Sequence, residues 1–509
     1  MRSLVLRSAV VFATSALGAQ SPLATADSAL LHRILLAEDR RDTVDRALVE
    51  GMASRDVRVA TIARRARARM RDARFAARDS FAALPAPLAY PDPAWRVRYR
   101  ALDPRKTDCA TLRAALSDSV WHVRLRAADL VTAACADDAA IAATLRAWLP
   151  TATHRSRTAA GAAWQPAAHA LVALARMAPA EARTALPGFA RNDSHWVRAY
   201  AARAAAVLTD TQTLRALAVD RDDNVKETAI DALSKLTGHA DDGTFTASLG
   251  ATGYQAVRAG ARALKGAAPS AALLRALVAA AYRMRADSSE TSRDARTEVM
   301  ARLAEVADDA VAVHAVALAA DFDCPVAQAA ATLASRLGTP TTLRCTPLAR
   351  TLPVDAVRLA LGADVRLRVV MASSSGGGAF VVRLRGDVAP IMAARVLALA
   401  RERYFDGRAW HRVEPDFVIQ GPSAGDNEYV GHPRFMRDEL GTVPHVRGTV
   451  GMSTRGHDTG DAQWFVNLKD NVRLGRDYTV FGEIVDGIAV ADGVLEGDVI
   501  QRIEVVAGR

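Results

Sequence analysis

The sequence predicts a multidomain chain: an all-α array of short paired helices, then a closed antiparallel β-barrel with flanking helices. Three observations predict it. At 509 residues the chain exceeds what one hydrophobic core normally organises. Hydrophobic residues make up 50% of it and aromatics only 5%, so alanine carries the apolar content, as suits closely packed helices. Past residue 363, apolar spacings of three and four give way to short β-prone runs broken by Gly and Asp.

The N-terminus, "MRSLVLRSAVVFATSALGAQSPLATADSAL", places Arg2 and Arg7 before an apolar stretch from Ala9 to Ala19 and a small-residue end at Ala24-Thr25-Ala26. This order predicts a secretory signal peptide over 1–26, cleaved near Ala19 or Ala26, and a periplasmic or secreted protein. The alternative is an N-terminal helix of the first repeat. No cysteine precedes Cys109, which excludes a lipid-modified cysteine at the cleavage site. No later apolar run reaches the roughly 18 uncharged residues of a membrane span.

Residues 27–337 read as helices of 10 to 16 residues with short polar breaks. A signature marks the second helix of each pair: a break containing Asp, a Val-Arg or Val-Lys step, then Ala-rich apolar spacing. It recurs as "SRDVRVATIA" (54–63), "DPAWRVRYRAL" (92–102), "SDSVWHVRLRAADL" (117–130), "NDSHWVRAYAARAA" (192–205), "DDNVKETAIDAL" (222–233) and "YQAVRAGARAL" (254–264). The Asp or Ser can cap the helix, the Val faces the neighbouring pair, and the Arg can reach an acid of an adjacent repeat. Trp95, Trp121 and Trp196, just before their valines, read as inter-repeat packing and not as a ligand box. The region resembles HEAT repeats, which implies a curved solenoid carrying a protein partner.

Charge follows the same division. Residues 361–509 hold 18 basic and 20 acidic residues, and the remainder 48 and 36, so the net +10 belongs to the helical part. Its densest run, "ARRARARMRDAR" (63–74), reads as a solvated helix face; without interleaved aromatics, nucleic acid is not an expected partner. The four cysteines, Cys109, Cys135, Cys324 and Cys345, contain no C-x-x-C spacing and so no zinc ribbon or thioredoxin-like site. Cys109 and Cys135 fall at adjacent ends of a predicted helix pair, where an exported protein can oxidise them; two buried thiols are the alternative.

Residues 338–363, with prolines and Thr clusters, form the connection, and 364–509 the second domain. "SSSGGG" (373–378) lies between two β-prone runs and reads as a hairpin loop, not a linker or a phosphate loop. "APIMAARVLALARERYFDG" reads as a helix with proline near its start and its end at Gly407. Then come "YFDGRAWHRVEPDFVIQG", "DEL…PHVRGTVGMS", "AQWFVNL" and "YTVFGEIVDG". These four blocks, in this order, resemble the cyclophilin family of peptidyl-prolyl isomerases over roughly 364–506.

The resemblance implies proline-containing polypeptides as substrate and no cofactor or metal. It implies that Arg412 is the catalytic donor, that Phe417, Phe465 and Leu474 form the floor and wall of a proline pocket, and that Val418 stands where Met is usual. Gln420 and Gln463 match residues that orient Arg412 and hold substrate backbone. Met452, Ser453, Thr454, Arg473 and Tyr478 match substrate-contacting positions, with Ser453, Thr454, Arg473 and Tyr478 in place of Ala, Asn, Trp and His. Pro422 replaces a Gly, and His411 is expected to pack structurally. Two functions remain open on this reading: an exported isomerase with a client- or partner-binding solenoid, and a scaffold whose isomerase module is weak or inactive.

Overall fold

The computed structural model describes residues 23–71, 88–156 and 162–507. The expected signal peptide therefore lies almost wholly outside the described residues, which open with the helix Thr25–Arg40.

Inner helices Ala94–Ala101, Trp121–Leu130, Gln165–Met177, His195–Val207, Asp223–Thr237, Tyr254–Ala263, Arg293–Val306 and Cys324–Arg336 stack in that order. Outer helices Cys109–Ala115, Ala139–Trp148, Pro179–Ala190, Thr211–Leu217, Asp242–Ser248, Ala271–Ala286 and Ala312–Leu318 each pack on the inner helix that follows. Small side chains permit this: Ala167, Ala168, Ala170 and Ala173, like Ala201, Ala202, Ala204 and Ala205, are fully buried between neighbouring helices.

The repeat signature falls on the inner helices, except for its first copy, 54–63, which opens the separate helix Val57–Arg71. Val123, Val197, Val225 and Val257 are buried, whereas Val97, on the first described helix of the stack, is exposed. Arg198 donates through Nε and Nη2 to Asp220 at 2.8 Å, bridging to the next repeat. The capping expectation is met at Asp222 but not at Trp121–Leu130, where Asp118 instead binds Arg98 of the preceding repeat at 2.6 Å. The tryptophans do pack between repeats: Trp196 stacks on Trp164, Trp121 meets Trp148 edge-on, and Trp95 stacks on His122. Cys109 is bonded to Cys135, and Cys324 to Cys345.

The first helices, Thr25–Arg40, Arg46–Met52 and Val57–Arg71, pack elsewhere. Leu31, Ile34, Leu35 and Ile62 share one hydrophobic core with Leu359, Val396 and Phe481 of the C-terminal unit. This corrects in part the reading of the arginine run 63–74, whose last three residues lie outside the described residues, as a solvated face: Arg64 and Arg71 are exposed, but two others are not. Arg65 and Arg69 are buried; Arg69 donates to the Leu440 carbonyl at 2.9 Å and to Glu38 at 3.0 Å, and Arg65 to the Asp387 carbonyl at 3.0 Å.

The C-terminal sheet comprises β1 (Val365–Met371), β2 (Ala379–Leu384), β3 (Arg412–Val413), β4 (Val418–Gly421), β5 (Thr449–Met452), β6 (Trp464–Asn467), β7 (Val480–Asp486) and β8 (Ile500–Ala507). Their order is β3-β4-β6-β5-β7-β2-β1-β8, every pair antiparallel. The expected closed barrel is not formed: the sheet curls as an open half-barrel whose edges β3 and β8 share no ladder. In place of a ladder, the isolated bridge Ala409 to Val499 and backbone hydrogen bonds between residues 407–410 and 497–500 span the gap, and β3 itself has just two paired residues. The helix of this unit runs Pro390–Arg401, short of the expected end at Gly407, and turns cover the difference.

The array wraps this unit with the first turns of its inner helices. Arg96 donates to the carbonyls of Pro415 and Leu468 and to Asp492; His122 meets the Asp492 carbonyl, Gln165 the Glu496 carbonyl and Asn224 the Gly425 carbonyl. A Cβ on Gly497 would sit 2.9 Å from Trp164, so glycine lets that loop seat against the tryptophans.

Candidate functional site

The β3-β4 hairpin turns at Pro415-Asp416, with the Phe417 amide donating to the Glu414 carbonyl at 2.8 Å. Arg412 and Gln420 are thereby cross-strand partners, and Arg412 Nη1 donates to Gln420 Oε1 at 3.2 Å. Gln420 pairs in turn with Phe465 on β6, and Phe465 with Gly451 on β5. Glycine at 451 is a steric requirement, because a Cβ there would lie 2.5 Å from Phe465 Cζ; its absence lets the ring lie over the sheet.

Val418, Phe465 and Leu474 form a small apolar cluster, with Phe417 and Tyr478 against it. The Tyr478 ring meets Phe465 edge-on at 5.7 Å, and His445 stacks on the other side of Phe465 while contacting the Tyr478 carbonyl at 3.0 Å. Together with Arg412, Gln420, Ser453 and Thr454, the side chains of Phe417, Val418, Phe465, Leu474 and Tyr478 line a cavity of about 150 Å³. The guanidinium is half-exposed at its mouth, 5.8 Å from the Phe417 ring. The result is an apolar cup with a half-exposed guanidinium at the rim. No cluster of His, Cys, Asp or Glu suited to a metal occurs among the described residues.

The comparisons agree with this geometry. The family model "Cyclophilin type peptidyl-prolyl cis-trans isomerase/CLD" matches residues 368–505. A peptidyl-prolyl cis-trans isomerase of Helicobacter pylori is 33% identical over 119 residues, covering 23% of this chain and 73% of the relative. Peptidyl-prolyl cis-trans isomerase B of Bacillus subtilis is 31% identical over 131 residues, covering 25% of this chain and 92% of the relative. This chain belongs to the cyclophilin family. A probable isomerase of Brucella suis, 32% identical over 162 residues, covers 29% of this chain and 80% of the relative.

Not every expected site residue of the cyclophilin unit reaches the cavity. Gln463 is buried beside it, its side-chain amide facing Asp461 Oδ2 at 3.4 Å, so that carboxylate and not Arg412 receives it. Met452 is buried in the main core, because its position on β5 points to the opposite face of the sheet from Gly451. Arg473 lies outside the lining and stacks over the Phe417 ring at 4.8 Å. His411 is buried with no partner on either ring nitrogen among the described residues; burial, with the Arg412 charge adjacent, pushes its imidazole down to about 3. It is neutral and packs, and does not exchange protons near neutrality.

Two lining residues escaped the sequence reading. Glu428 places Oε1 3.5 Å from Arg412 Nη1, and Arg455 is fixed by Asp461 at 3.0 Å and by Asp294 of the helical array at 2.6 Å. Glu428 sits in a loop without periodicity. Arg455 adjoins the chosen pair Ser453-Thr454, but its partner Asp294 is far away in sequence. On the other side of Arg412 lies a second cavity, of about 350 Å³, between the array and the cyclophilin unit; Arg412 alone lines both.

Proposed function

We propose that this protein is an exported peptidyl-prolyl cis-trans isomerase whose helical array, built of HEAT-like repeats, holds the cyclophilin unit and contributes a surface for clients or partners. Rotation about an X-Pro bond breaks amide resonance, with a barrier of roughly 18–20 kcal/mol. No acid, base or nucleophile is needed. In the twisted amide the proline nitrogen regains its lone pair, and only then can it accept a hydrogen bond. A guanidinium aimed there binds the transition state better than either planar isomer.

The observation that carries this reading is Arg412 held by Gln420 at the rim of the Val418-Phe465-Leu474 cup. In this reading the cup takes the proline ring, Arg412 donates to the nitrogen, and Ser453 and Thr454 contact the peptide backbone. Millisecond turnover requires roughly 10⁴–10⁵-fold acceleration over the spontaneous reaction, about 5–7 kcal/mol, which one charged hydrogen bond and fixed orientation can supply. The pairing of all four cysteines supports an oxidising compartment and hence export. One observation favours the weaker module: Glu428 competes for the Arg412 guanidinium.

The test is isomerisation of Ala-Pro peptides by the full chain, since the cyclophilin core includes Leu31, Ile34 and Ile62 from the N-terminal helices. Acceleration by wild type and its loss in Arg412→Ala is the expected outcome. Wild-type protein with no acceleration would leave the scaffold reading.

A further inference from the structure

Away from the proline pocket, a cavity of about 130 Å³ opens between the helix Thr25–Arg40, the connecting segment, the helix Pro390–Arg401 and the loop after Pro433. Four arginines line it, Arg350, Arg395, Arg434 and Arg437, against a single acid, Asp39. Few of these charges are answered. Among the described residues Arg350 pairs with Glu290 at 3.2 Å and donates to the Phe435 carbonyl at 2.8 Å, while Arg434 and Arg437 hydrogen-bond only to backbone carbonyls, of Ser288 at 2.6 Å and of Asp458 at 3.4 Å. Arg395 has no hydrogen bond or ion pair among the described residues, and Arg437 Nε is buried without a partner. Asp39, only 6% exposed, likewise has no hydrogen-bond or ion-pair partner for its carboxylate among the described residues.

Like charges converging on a partly desolvated cavity are unfavourable unless an anion joins them. Guanidinium clusters of this kind match the geometry of tetrahedral oxyanions, each offering several N-H donors in a plane. We propose that this cavity is a binding site for a phosphate group, either free or carried on a phosphorylated side chain. The oxygens would be held by Arg395 and Arg437, with Arg350 and Arg434 supporting from the rim. Burial pushes the Asp39 carboxyl up against the pull of Arg350, Arg437 and Arg395, and its charge is the one in the lining that opposes a bound anion. The ligand would tie the N-terminal helices to the cyclophilin core, because Asp39 comes from the former and Arg395 and Arg437 from the latter.

The experiment is calorimetric titration of the full chain with inorganic phosphate, with phosphoserine, and with acetate at matched ionic strength. Saturable binding of phosphate but not acetate is expected, with a rise in unfolding temperature as phosphate is added. Arg395→Ala/Arg437→Ala should weaken binding about tenfold or more. Asp39→Asn, nearly isosteric, should retain or tighten it. Tighter binding of phosphoserine would identify the phosphorylated side chain as the source, and phosphate binding alone a free anion. No saturable heat with either, equal heats with acetate, unchanged affinity in the double variant, or loss of binding in Asp39→Asn would each overturn the proposal.

Discussion

The proline pocket and the seam between array and cyclophilin unit are both built around an arginine, and they use it in opposite ways. Arg412 is half-exposed, with one amide oxygen at 3.2 Å and a carboxylate at 3.5 Å, so its donors can turn to a substrate. Arg96 is fully buried, with Nε on the Pro415 carbonyl, Nη1 on the Leu468 carbonyl and Nη2 on Asp492. A guanidinium whose donors are saturated holds structure together; one left partly unsatisfied is available for chemistry. The pocket is also local, drawn from one sheet face and its loops, whereas the seam joins residues hundreds of positions apart.

Substitution at the two arginines tests the comparison most strongly. Arg412→Ala should lower kcat/KM about 10²–10³-fold, the usual cost of removing one donor aimed at a transition state. Its unfolding midpoint should stay near that of wild type, as little is buried there. Prolyl-peptide turnover and denaturant melts on the same preparations measure both; an active variant would show that the donor lies elsewhere.

Arg96→Ala should do the reverse, destabilising by about 2–4 kcal/mol by leaving buried carbonyls without their donor. Arg447 also binds Asp492, at 2.6 Å, which keeps the loss below that of a carboxylate stripped of every partner. Urea unfolding gives the number. A neutral result would mean that the seam contributes little to stability.

Reducing Cys109–Cys135, or replacing both with Ser, should cost about 3 kcal/mol from the reopened loop. The loss should appear in array unfolding, followed by the fluorescence of Trp121 and Trp148, and leave peptide turnover at low denaturant intact. A fall in turnover would mean that the array conveys its state to the pocket.

At neutral pH the least visible effect is a pH dependence, which emerges only in acid. His411 is pushed from the ordinary histidine value down to about 3 when folded, so below about pH 6.5 the unfolded chain binds a proton that the folded chain does not. Its contribution to stability is therefore present above pH 6.5 and declines as pH falls toward 3, with a slope of at most about 1.4 kcal/mol per pH unit. The difference in slope between wild type and His411→Gln isolates it. No difference would mean that the imidazole is charged in the folded protein.

The helical periodicity, the strand runs and the order of the cyclophilin blocks were legible in the sequence because each depends on spacings within a few residues. Arg412, Phe417, Val418 and Gln420 were expected from the family resemblance, and the register of one hairpin places them together. Leu474 and Tyr478 were reached through the family resemblance, not through spacing. Gln463 and Met452 show the limit: their positions in the motif were plain, but whether a side chain faces the cavity depends on Asp461 taking the Gln463 amide and on the face of β5 that Met452 occupies. Glu428 was invisible, since nothing in its loop signals that it will meet Arg412.

By itself the sequence determined which segments are helix and strand, because side-chain period and local hydrogen bonding fix these, and the order of its motifs carried the resemblance to the cyclophilin family and, with it, the expectation for Arg412. Only the tertiary structure decided that the sheet stays open at β3 and β8, that Arg65 and Arg69 are buried against the cyclophilin unit, and that the array's inner face is spent on that same unit. Those outcomes depend on which distant carbonyls and carboxylates come within about 3 Å of a donor. No spacing along the chain encodes that distance.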